Sequence, residues 1–465
     1  MSDNKSLSTL NPNKYEKDTI PYRIEFLRQL LEGKQLKPLI DFNCTDTESF
    51  INKVNEDDTK SGESYDTRII LKKRVYNFAN IINQIGGKVE YIKSGTTGHA
   101  FKGHADDPNG GFDYCVKVSA YPKKEHYGNI HDVRRPENAE IMMLKLLSYF
   151  IVKKMTPHLI LPYGTFNTDI NTFVNLIENG NVNKNEKKYL EFIERYNHGE
   201  YYDQVSILIS EWANRGDLLE FIRRWYKKFT AGHWKVIFFQ LLSTLAIIQE
   251  KYPAFRHNDL KANNILVHKI DMAKKKYMTY EFNHAGYIVP NIGYHIKIWD
   301  FDFACIPGVV DNIKVSTKWT EMINVTPEQN RYYDIHYFFN TLISEGFFPQ
   351  FLKEDYIPQE AKEFVKRVVP EKYRTKDTKY VHKKGRILIN DEYLTADEIL
   401  KTDPYFEEFR NNFRNHHSKR DKHRVKKPVQ TPDIRLMLKD KQEKEIENND
   451  PNIIQLLHGK RTKKT

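Results

Sequence analysis

Apolar positions along the chain change period several times, and the changes divide it into elements. In YRIEFLRQLLEG, Ile24, Leu27, Leu30 and Leu31 recur at helical spacing. TRIILKKRVYNFANIINQI alternates apolar and basic positions in the same period, so both segments read as helices packed on the domain that follows. The charged stretch from Asn55 to Glu63 reads as a loop, and the polar first twenty or so residues as a mobile start. Tyr91 to Phe101 has a strand-turn-strand pattern, Tyr114 to Val118 is an apolar strand, and a helix is expected from Pro136, with Met143, Leu144 and Leu147 on one face. Leu159–Phe166 and Val205–Ser210 read as strands, separated by an Asn-, Lys-, Glu- and Tyr-rich stretch that reads as a polar insertion. From Ala231 to Tyr252, Trp234, Ile237, Phe238, Leu241, Leu245 and Ile248 form one helical stripe, the mark of a core helix. Beyond it, Ile265–Val267 and Tyr294–Trp299 read as strands around a hairpin-like excursion, and helices are expected from Asp334, from Pro358 to Val369 and around Leu394–Leu400.

Composition narrows the class. At 465 residues, 39% hydrophobic and 13% aromatic, the chain can bury a substantial core across two or three domain-sized units. Its best candidate for a membrane span, Val236 to Ile248, is short and interrupted by Gln240, Ser243 and Thr244, and the first eighteen residues lack the apolar core of a secretory signal. A soluble, intracellular protein is therefore expected. Cys44, Cys115 and Cys305 are far apart and outside metal-ligand spacing, which disfavours a disulfide framework or a zinc site. The net charge is +11, and the stretch from His416 onward carries fourteen Lys/Arg against seven Asp/Glu. Such a tail is either solvated or an arm for an anionic partner such as nucleic acid or an acidic membrane surface.

Two polar segments carry the chemistry: His257-Asn258-Asp259-Leu260-Lys261-Ala262-Asn263-Asn264 and Trp299-Asp300-Phe301-Asp302-Phe303. Phosphoryl transfer from a nucleotide needs an acidic side chain to orient an attacking hydroxyl and accept its proton, plus oxygen ligands for magnesium. Asp259 can be that base, Lys261 can lie near the transferred group, and Asn264 with Asp300 can hold the metal. A lone His-x-Asp is more often a surface turn. Here the order Asp, Lys two later, Asn five later and then a hydrophobic strand ending in Asp-Phe-Asp satisfies several constraints together. Upstream, Gly95 and Gly98 would let backbone amides approach phosphate oxygens, with Ile92 and Ala100 beside them as further ATP contacts. Lys117 can pair with Glu140 of the following helix, although a solvated edge lysine and a competing Glu137 are the alternatives. Near Glu211 a strand breaks into small residues before a helix opens. Adenine could bond backbone groups of Glu211 and Ala213 there, with Asp217 near the ribose or simply capping the helix.

With these residues in view, the region from about Tyr91 to Phe409 resembles the eukaryotic-type protein kinase fold. Gly95, Gly98, Lys117, Glu140, the hinge around Glu211, Asp259, Lys261, Asn264, Asp300 and Asp334 stand in that family's order. The nearest likeness is to serine/threonine kinases of large cytoplasmic DNA viruses, including the poxvirus kinase needed for virion morphogenesis, which similarly carry Asp-Phe-Asp and a segment like Tyr332-Tyr333-Asp334. The resemblance implies an α+β, bilobal protein kinase fold, with a small β-rich lobe at 86–210 and a larger helical lobe at 214–410. A helical extension at 1–85 would precede that domain and a basic tail at 411–465 would follow it. It also implies ATP and Mg2+ as cofactors, protein substrates, and the host cytoplasm or the virion as location.

Departures from the family pattern are informative. Asp302 replaces a glycine, Lys93 stands at the first phosphate-loop glycine, and Pro327-Glu328 lies too close to Asp334 for the usual substrate platform. Asn258 stands where most protein kinases have Arg, and a neutral amide cannot pair with an activation-segment phosphate. The segment from Ala304 to Tyr333 is therefore expected to be ordered without phosphorylation. A choline- or aminoglycoside-type small-molecule kinase is the rival reading, disfavoured by Lys261 and by the thirty-odd residues between Asp300 and Asp334. A catalytically dead scaffold is disfavoured because Lys117, Asp259, Asn264 and Asp300 are all present.

Overall fold

The computed structural model describes residues 16–42, 66, 68–95, 98–106, 111–272 and 275–425, with side chains as far as 416. The polar start, Cys44, the Asn55–Glu63 loop and the tail beyond 425 lie outside the described residues. Helix α1 (Ile20–Leu31) begins where Thr19 accepts a hydrogen bond from the Tyr22 N–H, and it buries Arg23, Leu27 and Leu31 at four-residue intervals. The second expected helix is much shorter. Only α2 (Phe78–Ile85) is helical, started by an Asn77 cap and ended by Gly86 at φ +88°. Upstream of it the chain is extended: Val75 bridges Asn167, the Tyr76 N–H donates to Asn167, and Ile69 and Val75 are exposed. Alternating apolar and basic residues suit an edge segment as well as a helix, and pairing with the sheet decides between them.

A five-stranded antiparallel sheet fills the N-terminal half: β1 (Gly87–Ser94), β2 (Gly98–Ala105), β3 (Phe112–Pro122), β4 (Pro162–Asp169) and β5 (Tyr201–Glu211), in the order β1-β2-β3-β5-β4. β4 starts three residues later than its apolar run suggests, because Leu159 pairs instead with Ile298. Helix α3 (Pro136–Val152) crosses behind the sheet and is buried along most of its length. The stretch expected to be a polar insertion is folded. It carries α4 (Lys187–Asn197), and Phe173, Tyr189 and Phe192 from this stretch enclose His99 of β2. Burial pushes the His99 imidazole down to about 4.

The C-terminal half is mainly helical. Asp217 caps α5 (Leu218–Trp225) by accepting from the Glu220 N–H, which is the alternative reading of that residue. Helix α6 (Ala231–Lys251) is the one described helix long and apolar enough to cross a membrane, but it is buried on nearly every side, with Trp234, Leu241 and Leu245 fully enclosed. A two-stranded ladder of β6 (Ile265–Lys269) and β9 (Tyr294–Ile298) frames the candidate site. Between them, β7 (Tyr277–Phe282) and β8 (Ala285–Pro290) form a hairpin whose turn residues, Asn283 and His284, are both left-handed, the backbone of a type I′ turn. Helices α7 (Tyr333–Leu342), α8 (Gln359–Val368) and α9 (Ala396–Thr402) follow, and α10 (Glu407–Val425) ends the described chain. This mixed architecture, with the sheet first and the helices after it, is compatible with the two-lobed plan implied by the resemblance. Among the described residues, Cys115 and Cys305 form no disulfide.

Candidate active site

Strand alternation builds the sheet side of the site. β1 carries an extra residue at Ile92, where the register with β2 shifts, and Ile92 is 45% exposed. Ala100 sits opposite Lys117 in the β2–β3 ladder, while His99 and Phe101 alternate onto the buried face. Gly98 is required by close approach: a Cβ there would stand 1.8 Å from the Val118 carbonyl oxygen. The Gly95 N–H closes the turn onto the Gly98 carbonyl at 2.8 Å, and Thr96 and Thr97 between them lie outside the described residues.

Lys117 joins three elements. Its Nζ donates to Glu140 Oε1 of α3 at 2.6 Å and to Asp300 Oδ1, just past β9, at 3.0 Å. Burial alone would drive the ammonium toward neutrality, but the two carboxylates reverse that and raise its pKa. Asp300 answers in the opposite direction. Burial pushes its carboxyl up, Lys117 overrides this, and the result is a pKa near 2, with over a third of the side chain still exposed. Its backbone is left-handed, at φ +63°. Glu137, the competing partner, is taken by Arg135 at 3.2 Å.

The loop that bears Asp259 is hung from α7. The buried Asp334 carboxylate accepts the N–H groups of His257 at 2.7 Å and Asn258 at 2.9 Å. Asn258 is also left-handed, a conformation Asn tolerates better than most residues. Its side-chain amide donates to Phe303 O, Thr326 O and Cys305 Sγ, joining both ends of the following segment. Three donors fix the Asp259 carboxylate: Lys261 Nζ at 2.8 Å and Asn264 Nδ2 at 2.9 Å on Oδ2, and Arg386 at 2.6 Å on Oδ1. The two motifs meet through the backbone. Trp299 N donates to Asn264 O at 3.1 Å, and His257 Nε2 donates to Trp299 O at 3.0 Å.

Residues 127–389 match the family described as poxvirus serine/threonine protein kinase. The chain belongs to that family. It is 49% identical to a candidate serine/threonine-protein kinase of Acanthamoeba polyphaga mimivirus, R400, over 84% of this chain and 80% of that one. A second mimivirus protein described in the same terms, R301, is 34% identical over 24% of this chain and 30% of its own. The protein is a serine/threonine protein kinase of viral type. The family match starts at 127 and so leaves out Gly95, Gly98 and Lys117; of these, the fold brings Lys117 onto Glu140 and Asp300, both inside the matched region.

Three arginines of this kinase complete the site without a local motif. Arg23 of α1, expected to carry no chemistry, reaches Glu211 at the end of β5 with two nitrogens, at 2.9 and 2.5 Å. Glu211 also accepts from Lys297 at 2.8 Å and from the Leu161 N–H. Burial pushes its carboxyl up, but Arg23 and Lys297 prevail and hold it at about 2. The Glu211 N–H donates to Leu161 O, so that group is not free for adenine, which narrows the hinge expectation to the carbonyl of Glu211 and the backbone of the buried Ala213. Arg256, fully buried, donates to Asn324 O, Thr326 Oγ1 and Glu328 O. Arg386 is the third. Arg23 and Arg256 each follow an aromatic residue and only Arg386 closely follows a pair of lysines, so nothing in the local sequence marks these three as the arginines that turn inward.

Proposed function

We propose that this kinase transfers the γ-phosphoryl group of ATP to serine and threonine hydroxyls of protein substrates in a two-lobed domain. Asp259 is the base, Lys117 holds the nucleotide phosphates, and Asn264 with Asp300 holds magnesium. The observation that carries this reading is the convergence of Lys117, Glu140 and Asp300 in one ion-paired cluster, backbone-linked to the loop that bears Asp259. Among the described residues, no group of three or more His, Cys, Asp or Glu could hold a metal ion by itself. An amide and a carboxylate oxygen instead suit a hard cation that completes its shell with phosphate oxygens. Magnesium, when bound, would neutralise phosphate charge. The residues do the rest: Asp259 orients the acceptor hydroxyl and takes its proton, Lys261 supplies positive charge beside it, and Glu140 keeps Lys117 directed at the cleft. The backbone around Ala213 receives adenine, and Asp217 remains the proposed ribose contact beside its capping role. Asp300→Asn should raise the magnesium concentration for half-maximal activity at least ~10-fold, the scale expected on losing a charged ligand. An unchanged magnesium titration would remove Asp300 from the metal site.

The same reading extends to regulation. The neutral bonds of Asn258 and the backbone bonds of Arg256 support a segment from Ala304 to Tyr333 that needs no phosphate to be ordered. In that segment Thr320 is buried and Thr317 caps a short helix, while Ser316 beside them is exposed. Phosphatase-treated protein and Ser316→Ala should both keep at least about half of the untreated activity, as expected when no charge-assisted bond is lost. Loss of most activity in either, restored by Ser316→Glu, would refute this.

The basic tail is proposed to contact an anionic surface, nucleic acid or membrane. Truncation at His416 should abolish salt-sensitive binding to DNA or to phosphatidylserine vesicles while sparing kinase activity, and salt-independent binding would contradict it. Likeness to a virion-morphogenesis kinase makes the host cytoplasm or the virion the proposed location, open to test by immunoblotting purified particles.

A further inference from the structure

Arg386 lies 127 residues beyond Asp259 and in none of the segments that carry the site, yet it reaches the catalytic carboxylate. Its guanidinium has four partners. Nη2 donates to Asp259 Oδ1 at 2.6 Å, and Nη1 donates to the Asn258 carbonyl and to the Tyr333 hydroxyl, the latter at 2.9 Å. Its plane lies over the Tyr337 ring, 4.0 Å from the centroid. The residue is 7% exposed.

The backbone around it is equally fixed. Val381 bridges Ile387, the His382 N–H donates to Arg386 O at 2.8 Å, and the turn passes through Gly385 at φ +82°. Asn340 of α7 donates to Gly385 O at 2.9 Å. On the other flank, Asn324 donates to Ile387 O and Asn330 to Ile389 O. The hairpin tip therefore rests on α7 and on the end of the segment that follows Asp300.

We propose that Arg386 is a positioning residue for the phosphoryl-transfer reaction, and that this rests on Asp259 being the base. An arginine stays protonated throughout and so cannot compete with Asp259 for the substrate's proton. By taking Oδ1 while Lys261 and Asn264 take Oδ2, it fixes both the plane and the rotamer of the carboxylate. By binding the Asn258 carbonyl as well, it sets the height of the loop on which Asp259 stands. Its burial and its ring stack mark a permanent strut. A side chain that masked the base and withdrew for each substrate would need room to move.

The test compares wild type, Arg386→Gln, Arg386→Lys, Asp259→Asn and the Arg386→Gln/Asp259→Asn double variant. Each is assayed with magnesium-ATP and dephosphorylated casein, with single-turnover rates for the slow variants. Arg386→Gln should lower kcat by about 10- to 100-fold while KM for ATP stays within about 2-fold, the split expected of an interaction that matters in the transition state. In the Asp259→Asn background the same change should lower the rate by less than about 3-fold, because its target is already gone. Arg386→Lys, which keeps the charge but not the fork, should recover only part of the loss, and it carries the test if Arg386→Gln does not fold. An unchanged or increased kcat in Arg386→Gln would overturn the proposal, the increase revealing a mask. An equal loss in both backgrounds would overturn it too, since Arg386 would then act independently of Asp259. Wild-type turnover in Asp259→Asn would instead bring down the assignment of the base and leave the geometry of Arg386 without a catalytic target.

Discussion

Asp259→Asn will bind ATP nearly as well as wild type and turn it over at least ~10²-fold more slowly, the usual scale for removing a general base. The nucleotide contacts proposed for Lys117, Ala213 and Asp217 come from other elements, so binding should survive. Turnover should not. The change removes the proton acceptor and also disturbs its cradle, because an amide nitrogen would face either Lys261 and Asn264 on one side or Arg386 on the other, and all three are donors. Nucleotide affinity by titration and single-turnover transfer to casein separate the two effects. Equal turnover in wild type and variant would eliminate Asp259 as the base.

The second large effect is on stability. Arg23→Ala should lower the free energy of unfolding by about 3 kcal/mol, at the lower end of the range for breaking a buried ion pair, because Lys297 still faces Glu211. Glu211→Ala should be worse, about 5 kcal/mol, since it leaves Arg23 and Lys297 buried together with no anion between them. Denaturant titration of the purified variants measures both. A loss below about 1 kcal/mol in each, the range of an exposed pair, would mean that the triad is solvated. The pH dependence has a definite sign. The folded carboxyl of Glu211 is held near 2, below its ordinary 4.5, so its stabilising contribution is complete above pH 4.5 and is lost as pH falls through about 2. Wild type and Arg23→Ala should therefore converge in stability over that acid range.

These two sites differ in how far they could be read from the chain. Asp259, Lys261 and Asn264 lie within six consecutive residues, so their shared chemistry is a local pattern. The pairing of Lys117 with Glu140 was legible because a strand and a helix of known periods separate them. The helix from Ala231 was equally plain, since fifteen of its residues are buried and the apolar stripe is continuous. Arg23 and Arg386 were not legible, because nothing in their local sequence distinguishes an inward-facing arginine from a solvated one, and the carboxylates they bind are more than a hundred residues away. The stretch before α2 failed for another reason: its alternation fits two periods, and only the edge of β4 selects the extended one. The insertion around α4 looked polar because its many charged residues outnumber the few aromatic ones that close over His99.

The Arg23 triad also constrains how the protein is made. Glu211 emerges from the ribosome 188 residues after Arg23, and Lys297 a further 86 residues later. At roughly 5–20 residues per second, α1 waits on the order of 15–55 s for its full set of partners. A twelve-residue helix is only marginally stable by itself in water, and this one must keep Leu27 and Leu31 covered in the meantime. The first of the described helices is thus among the last to gain its full set of partners. A nascent chain stalled before β9 would present a greasy, unlatched α1 to the chaperones of the cell that translates it.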